Sequence, residues 1–184
     1  MKELFNPEKA TQIAIFLLKL NGGRLDYTKA IKLIYIADRM SLLENKIPIS
    51  LDKYVSMDKG PVVSNIYDMI KGATDCVLWN EYIKTIGYNI NLRKDFEQFD
   101  LLSKNEKQML VKVDAEFKRK SCWVIIDYMH EHFKEWEDPD GSSYNIEIED
   151  IMKALQKSND EIRSIQEDLN YLKTVKNLLS ARVA

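Results

Sequence analysis

Apolar residues recur along most of this chain with the period of an α-helix. After Asn6-Pro7, the residues Ile13, Ala14, Phe16, Leu17 and Leu20 lie broadly on one face, and Asn21-Gly22-Gly23 supplies the positive backbone angles that stop a helix. Asn6 suits a cap, because its side chain accepts a bond from an orphaned amide, and Pro7 has no amide to orphan. Asp26 opens the next segment, where Ala30, Leu33, Ile34, Ile36, Ala37, Leu42 and Leu43 make a helix apolar round much of its circumference. Such a helix belongs at the centre of a core.

The pattern changes in KYVSMDKGPVVSNIYDMIKG, residues 53–72. Tyr54, Val55 and Met57 suit a short extended segment, and Pro61 fixes its own φ and biases Gly60 away from the helical region. Ser64 or a neighbour then caps a helix carried by Ile66, Tyr67, Met69 and Ile70 to a stop at Gly72. Trp79, Tyr82 and Ile83 on one side of Thr85-Ile86-Gly87, with Tyr88, Ile90 and Leu92 alternating on the other, predict a β-hairpin. Ser103 and Glu106 have capping-box spacing ahead of Met109, Leu110, Val113 and Phe117, and Ser121 begins a further helix that ends before the EDPDGSS loop. From Glu149 to Ala184 there is no Gly or Pro, and Leu155, Ile162, Ile165, Leu169, Leu172 and Leu179 follow a heptad seam, so one long helix is expected. The fold class is mainly α: a compact helical domain with a small β-hairpin and a long C-terminal helix. The division expected is a domain over residues 1–155 and a helical extension over 156–184.

Composition narrows the function. The 184 residues, 45% hydrophobic, suffice for one sizeable core. With 27 Lys and Arg against 29 Asp and Glu, the net charge of −2 offers no general attraction to nucleic acid, which is not an expected partner. The two helices joined by NGGRLD invite a helix-turn-helix reading, but the second is apolar where a DNA reader needs exposed Arg, Asn or Gln. The N-terminal apolar stretch is too short and too interrupted for a membrane span, and no small-residue cleavage site follows it; no membrane partner and a cytoplasmic location are expected.

Candidate chemistry is sparse. Cys76, Cys122, His130 and His132 have no zinc spacing, and the two cysteines read as buried thiols in a reducing compartment. No metal and no cofactor are expected. The Gly60-Pro61 turn lacks the consecutive amides of a phosphate cradle. His130 with Glu131 and Glu137 invites acid–base chemistry, yet no nucleophile stands at a recognisable spacing, and a histidine near a helix end with Trp136 beside it reads as structural. The chain is not expected to be an enzyme.

The run LIYIADRMSL, Tyr54, the segment MDKGPVVSNIYDMIKG, Trp79, the Ser103/Glu106 helix start, and the late His130 and Trp136 together resemble the Panacea or SocA-like antitoxin domain, a family also met among phage-associated proteins. The resemblance covers roughly residues 7–155, with GPV followed by S-x-[IL]-Y-D as its most specific part; Val63 stands where family members often have Pro. It implies an antitoxin of a toxin–antitoxin system that neutralises a cognate protein toxin by direct contact. The alternative is a proteolytic adaptor delivering the toxin to an ATP-dependent protease. Some members carry an added DNA-binding domain; none is expected before Asn6, and repression of its own promoter is not expected of this polypeptide alone.

The positions that match the family are Tyr35, Asp38, Arg39, Tyr54, Gly60, Pro61, Tyr67 and Asp68, and they are the candidate partner-binding residues. Asp38 and Arg39 read equally as an internal ion pair or loop contact and as toxin contacts. Tyr54 and Tyr67 have rings for a core and hydroxyls for a partner. Gly60 and Pro61 offer chiefly backbone geometry. Ile162, Leu169 and Leu172 on the C-terminal seam are candidates too, facing either the chain's own core, a toxin or a second copy of the chain.

Overall fold

In the computed structural model, which describes residues 4–181, α1 (Pro7–Leu20) starts where Asn6 Oδ1 accepts from the amides of Glu8 and Lys9 at 2.9 and 3.1 Å. Gly22 and Gly23, both at positive φ, turn the chain into a strand that the sequence pattern does not announce, β1 (Arg24–Asp26). Asp26 then caps α2 (Tyr27–Asn45) by accepting from the Lys29 amide at 2.9 Å. From Lys29 to Asp38 every residue of α2 is buried. No flat amphipathic face is available to such a helix, so it is surrounded: α1 packs against it, as do two later helices over Lys104–Phe117 and Cys122–His132.

The segment around Gly60-Pro61 is a hairpin tip. β2 (Tyr54–Ser56) pairs antiparallel with β3 (Val62–Val63), Tyr54 opposite Val63, and β3 runs directly into α3 (Ser64–Lys71). Gly72, at φ +71°, ends α3. Trp79 does not lie in the β-hairpin expected for it: Val77–Tyr82 forms a short helix, α4, which buries the indole to 3% exposure. The hairpin itself is β4 (Ile83–Ile86) and β5 (Asn89–Leu92), and β1 adds to it in the order β1-β5-β4. An isolated two-stranded hairpin is marginal in water, and the third strand supplies further pairing.

Ser103 and Glu106 close a capping box at the start of α5 (Lys104–Phe117), and Ser121 caps α6 (Cys122–His132). Beyond the loop, β6 (Tyr144–Ile146) pairs with β2 to give a second three-stranded sheet, β3-β2-β6. The C-terminal stretch is two helices rather than one. α7 (Ile148–Ala154) stops at Leu155, Gln156 takes φ +58°, and α8 (Asn159–Ala181) begins after Ser158. Ser158 and Glu161 make the break stable, since the Glu161 carboxylate accepts from the Ser158 amide at 3.0 Å and the Ser158 hydroxyl from the Glu161 amide at 3.3 Å. The periodicity of a heptad seam runs across such a break without registering it.

Ile162, Ile165 and Leu169 of α8 are buried in the same apolar core as α1 and α2, and Leu172 is half-buried against it. Residues 1–3 and 182–184 of the two expected units lie outside the described residues. Cys76 is buried as expected, while Cys122 is only half-buried because it starts α6. Among the described residues no helix is long and apolar enough to cross a membrane.

Burying a large aliphatic side chain is worth about 1.5–3 kcal/mol, so three of them represent a large share of the 5–15 kcal/mol or so that holds an ordinary domain together. A chain truncated after Lys157 is therefore expected to melt at a clearly lower temperature or to aggregate. Circular dichroism melting of the truncated and full chains checks this; coincident melting curves would contradict the packing of α8.

Candidate functional site

The fold separates the family-matching positions Tyr35, Asp38, Arg39, Tyr54, Gly60, Pro61, Tyr67 and Asp68 into an interior scaffold and an outer surface. The scaffold begins on α2. Tyr35, Asp38 and Arg39 occupy successive turns of one side of that helix, and Tyr54 comes from β2. The Asp38 carboxylate accepts from the Ser50 amide at 2.8 Å, from the Ser50 hydroxyl, and from the Tyr54 hydroxyl at 3.0 Å. The Tyr35 hydroxyl donates to Glu135 at 3.1 Å, and Arg39 Nε pairs with the same carboxylate at 2.7 Å while its guanidinium lies 4.2 Å from the Phe133 ring centre. The Tyr35 and Tyr54 rings meet edge to face at 5.3 Å. Tyr35, Asp38 and Tyr54 are buried and Arg39 is half-buried, so this group holds the α2 face to the Ser50 loop and to the segment after α6.

The turn itself is built by contacts from three directions. The Gly60 amide donates to the Met57 carbonyl at 2.8 Å, and Gly60 takes φ +87°. Lys32, on α2, donates to the Pro61 carbonyl at 2.8 Å. The Trp136 indole nitrogen donates to the Met57 carbonyl at 2.9 Å, and its ring stacks on His130 with centroids 3.8 Å apart and planes at 7°. A Cβ on Gly60 would stand 3.3 Å from Lys32 Nζ and 3.5 Å from two atoms of the His130 ring. Gly60 thus suits the turn by its backbone angle, and a side chain there would also press on the Lys32 ammonium. Asp52, from the loop before β2, takes over the capping of α3: its carboxylate accepts from the amides of Asn65 and Ile66 at 2.9 and 3.0 Å. Of the cap expected from Ser64 or a neighbour, Ser64 is the first helical residue and Val63 stands at the N-cap position without a side-chain bond.

Burial dominates the electrostatics. It lowers the Lys32 ammonium to about 7, with Lys59 nearby adding to the effect. Burial, and Lys32 after it, lowers His130, whose Nε2 is buried without a hydrogen-bond partner among the described residues. Burial raises Asp38 to about 6 against the opposing pull of its bonds from Ser50 and Tyr54. Among the described residues no group of three or more His, Cys, Asp or Glu is placed to hold a metal ion.

The outer surface has a pocket of about 320 Å³ between the start of α2, the Met57–Val62 segment and α3, with Tyr27, Lys32, Lys59 and Tyr67 in its wall. Of the candidate residues only Tyr67 lines it; Asp68, half-buried on α3, accepts the Ala73 amide through its carbonyl at the helix end. Lys32, Asp52 and Glu135 are the parts of the site that sequence reasoning passed over. Lys32 carried a signal, being a charge at i−3 from Tyr35 on a helix apolar all round. Glu135 and Asp52 carried none, because their partners are distant in sequence.

Two predictions test this scaffold. Gly60→Ala is expected to lose more stability than Gly72→Ala. Both residues have positive φ, which costs a residue with a Cβ about 1–2 kcal/mol, but only Gly60 also faces neighbours within 4 Å, Gly72 having none. Equal shifts in denaturation midpoint would contradict the close approach of Lys32 and His130. For Asp38, the folded value near 6 lies above the roughly 3.9 of an unfolded aspartate. The folded state therefore keeps a proton that the unfolded chain releases, so this group's contribution is complete below about pH 4 and is lost as pH rises through 6. Urea denaturation from pH 4 to 7 should show wild type losing stability relative to Asp38→Asn, by on the order of 2–3 kcal/mol across the window. Parallel pH profiles would contradict it.

The family profile described as antitoxin SocA-like, Panacea domain, matches residues 31–137, from the buried part of α2 through the Gly60-Pro61 turn to the segment that carries Glu135 and Trp136. No curated protein and no solved structure matches the chain. The match spans more than half of the sequence and takes in every residue of the scaffold just described, and the chain belongs to the SocA-like antitoxin family of Panacea domains.

Proposed function

We propose that this protein is the antitoxin of a toxin–antitoxin system and that it neutralises a cognate protein toxin by direct binding in the cytoplasm. The observation that carries the reading is the family match over residues 31–137, which coincides with the scaffold around the Gly60-Pro61 turn. The geometry supports binding over catalysis. The polar groups of the scaffold, Asp38, Asp52, Glu135 and Lys32, are each engaged by other groups of the chain itself, and their bonds fix the shape of the surface above them. A surface held in this way loses little conformational freedom when a partner docks, which favours affinity.

Co-expression with the product of the adjacent gene tests the proposal. Formation of a stable complex and relief of growth arrest, with the partner's level undiminished, are expected. Relief that disappears in cells lacking the major ATP-dependent proteases, with loss of partner in cells that have them, would replace neutralisation by proteolytic delivery. A neighbour product that is neither bound nor counteracted would overturn both.

A further inference from the structure

Two nitrogen bases converge on the backbone of the Gly60-Pro61 turn. Lys32 Nζ, from α2, and His130 Nε2, from α6, stand 3.3 and 3.5 Å from the point where a Cβ on Gly60 would lie. Lys32 Nζ donates to the Pro61 carbonyl at 2.8 Å, whereas His130 Nε2 is shut off from solvent with no hydrogen-bond partner among the described residues. The Trp136 indole covers the His130 ring face to face, and its nitrogen donates to the Met57 carbonyl. That same carbonyl accepts the Gly60 amide across the turn. Imidazole, indole and hairpin tip are thus stacked into one unit.

A charge on His130 works against this arrangement. Burial first, and the Lys32 ammonium second, lower His130 from 6.5. Asp127 on its own helix and Asp138 in the segment that follows pull the other way, as does the face of the indole, without prevailing. In the tip, Lys59 adds to the positive side by acting on Lys32, and Asp58 has its Oδ1 engaged by the Gly141 amide at 3.1 Å. Lys32, lowered by burial to about 7, carries its proton for the most part by the time His130 takes one up. A base lowered in the closed state is protonated more readily once released. The closed turn is therefore favoured above about pH 6.5 and penalised progressively below it.

We propose that Lys32, His130 and Trp136 form an acid-operated latch on the Gly60-Pro61 turn: a proton on His130, set against the Lys32 ammonium, drives the imidazole off the indole and frees the tip from Met57 to Pro61. The imidazole is the member that moves. Lys32 is 1% exposed in the body of α2, while His130 is half-buried near the end of α6 and has solvent to turn towards. Once it leaves, Trp136 loses the ring that holds it over the Met57 carbonyl, and the tip loses its outer support. The latch goes beyond the antitoxin reading and does not depend on it, since every group in it belongs to this chain.

The experiment follows the full chain by nuclear magnetic resonance from pH 7.5 to 5. It reads the His130 ring, the Trp136 indole N–H and the exchange protection of the Gly60 amide, with the Ala73 amide, bonded to the Asp68 carbonyl, as the reference. In wild type the Gly60 amide is expected to lose protection at least tenfold, with the midpoint at which His130 titrates, below about 6.5. The Ala73 amide is expected to keep its protection. His130→Gln takes no proton and is expected to hold Gly60 protected throughout. Lys32→Met is expected to raise the His130 midpoint, because the opposing ammonium is gone; should one variant melt early, the other decides. Titration of His130 with the Gly60 amide and the Trp136 indole unchanged would overturn the latch. So would the absence of any His130 titration above pH 5, loss of protection in His130→Gln in step with wild type, or a His130 midpoint unmoved in Lys32→Met.

Discussion

A helix buried on every side must still satisfy its polar side chains, and in this protein that requirement organises the loops. Lys29, Lys32, Tyr35 and Asp38 are buried on α2 and Arg39 is half-buried, and the five are met by four separate parts of the chain. Lys29 donates to the carbonyls of Phe117, Lys118 and Lys120 at 2.8–3.0 Å, closing the C-terminal end of α5 where orphaned carbonyls and the helix dipole both favour a cation. Lys32 fixes Pro61, Asp38 fixes Ser50 and Tyr54, and Tyr35 with Arg39 fixes Glu135. Leaving a buried polar group without its partner costs about 1–3 kcal/mol, and more for a charged one. The loops are therefore bound to one arrangement as firmly as the core is.

The Gly60-Pro61 turn is where these restraints converge. It receives Lys32 from below, the Trp136 indole from one side and the close packing of His130, while Asp52 holds the helix that leaves it. The result is a hairpin tip whose inner surface is fully occupied by the chain's own polar groups and whose outer surface is left free. Interior specification of this kind explains why the candidate residues Tyr35, Asp38 and Tyr54 lie inside while Tyr67 alone among them reaches the pocket.

The helices were legible in the sequence because their signals are local. Asn6-Pro7, Asp26, Ser103 with Glu106, and Ser121 each act within four residues of themselves, and the structure has a cap at each. The same locality explains the failures. Trp79 in α4 was read as part of a strand because six residues are too few to establish a helical period, and the seam across Leu155 hid a break that Ser158 and Glu161 create. β1 and β6 are three residues each and exist only because β5 and β2 are there to pair with them.

By itself, then, the sequence determined a mainly helical protein, the starts of α1, α2, α5 and α6, the central place of α2 and the glycine-proline turn, since all of these follow from residues close together in the chain. Tertiary structure decided which residues the turn depends on, and which of its neighbours lie inside and which line the pocket. Glu135 meets Tyr35 across a hundred residues, Trp136 meets Met57 across seventy-nine, and Lys59 meets Trp123 only after α2 has brought both hairpin and α6 against itself. Contacts of that range leave no periodicity and no fixed spacing, because their formation depends on the packing of everything in between.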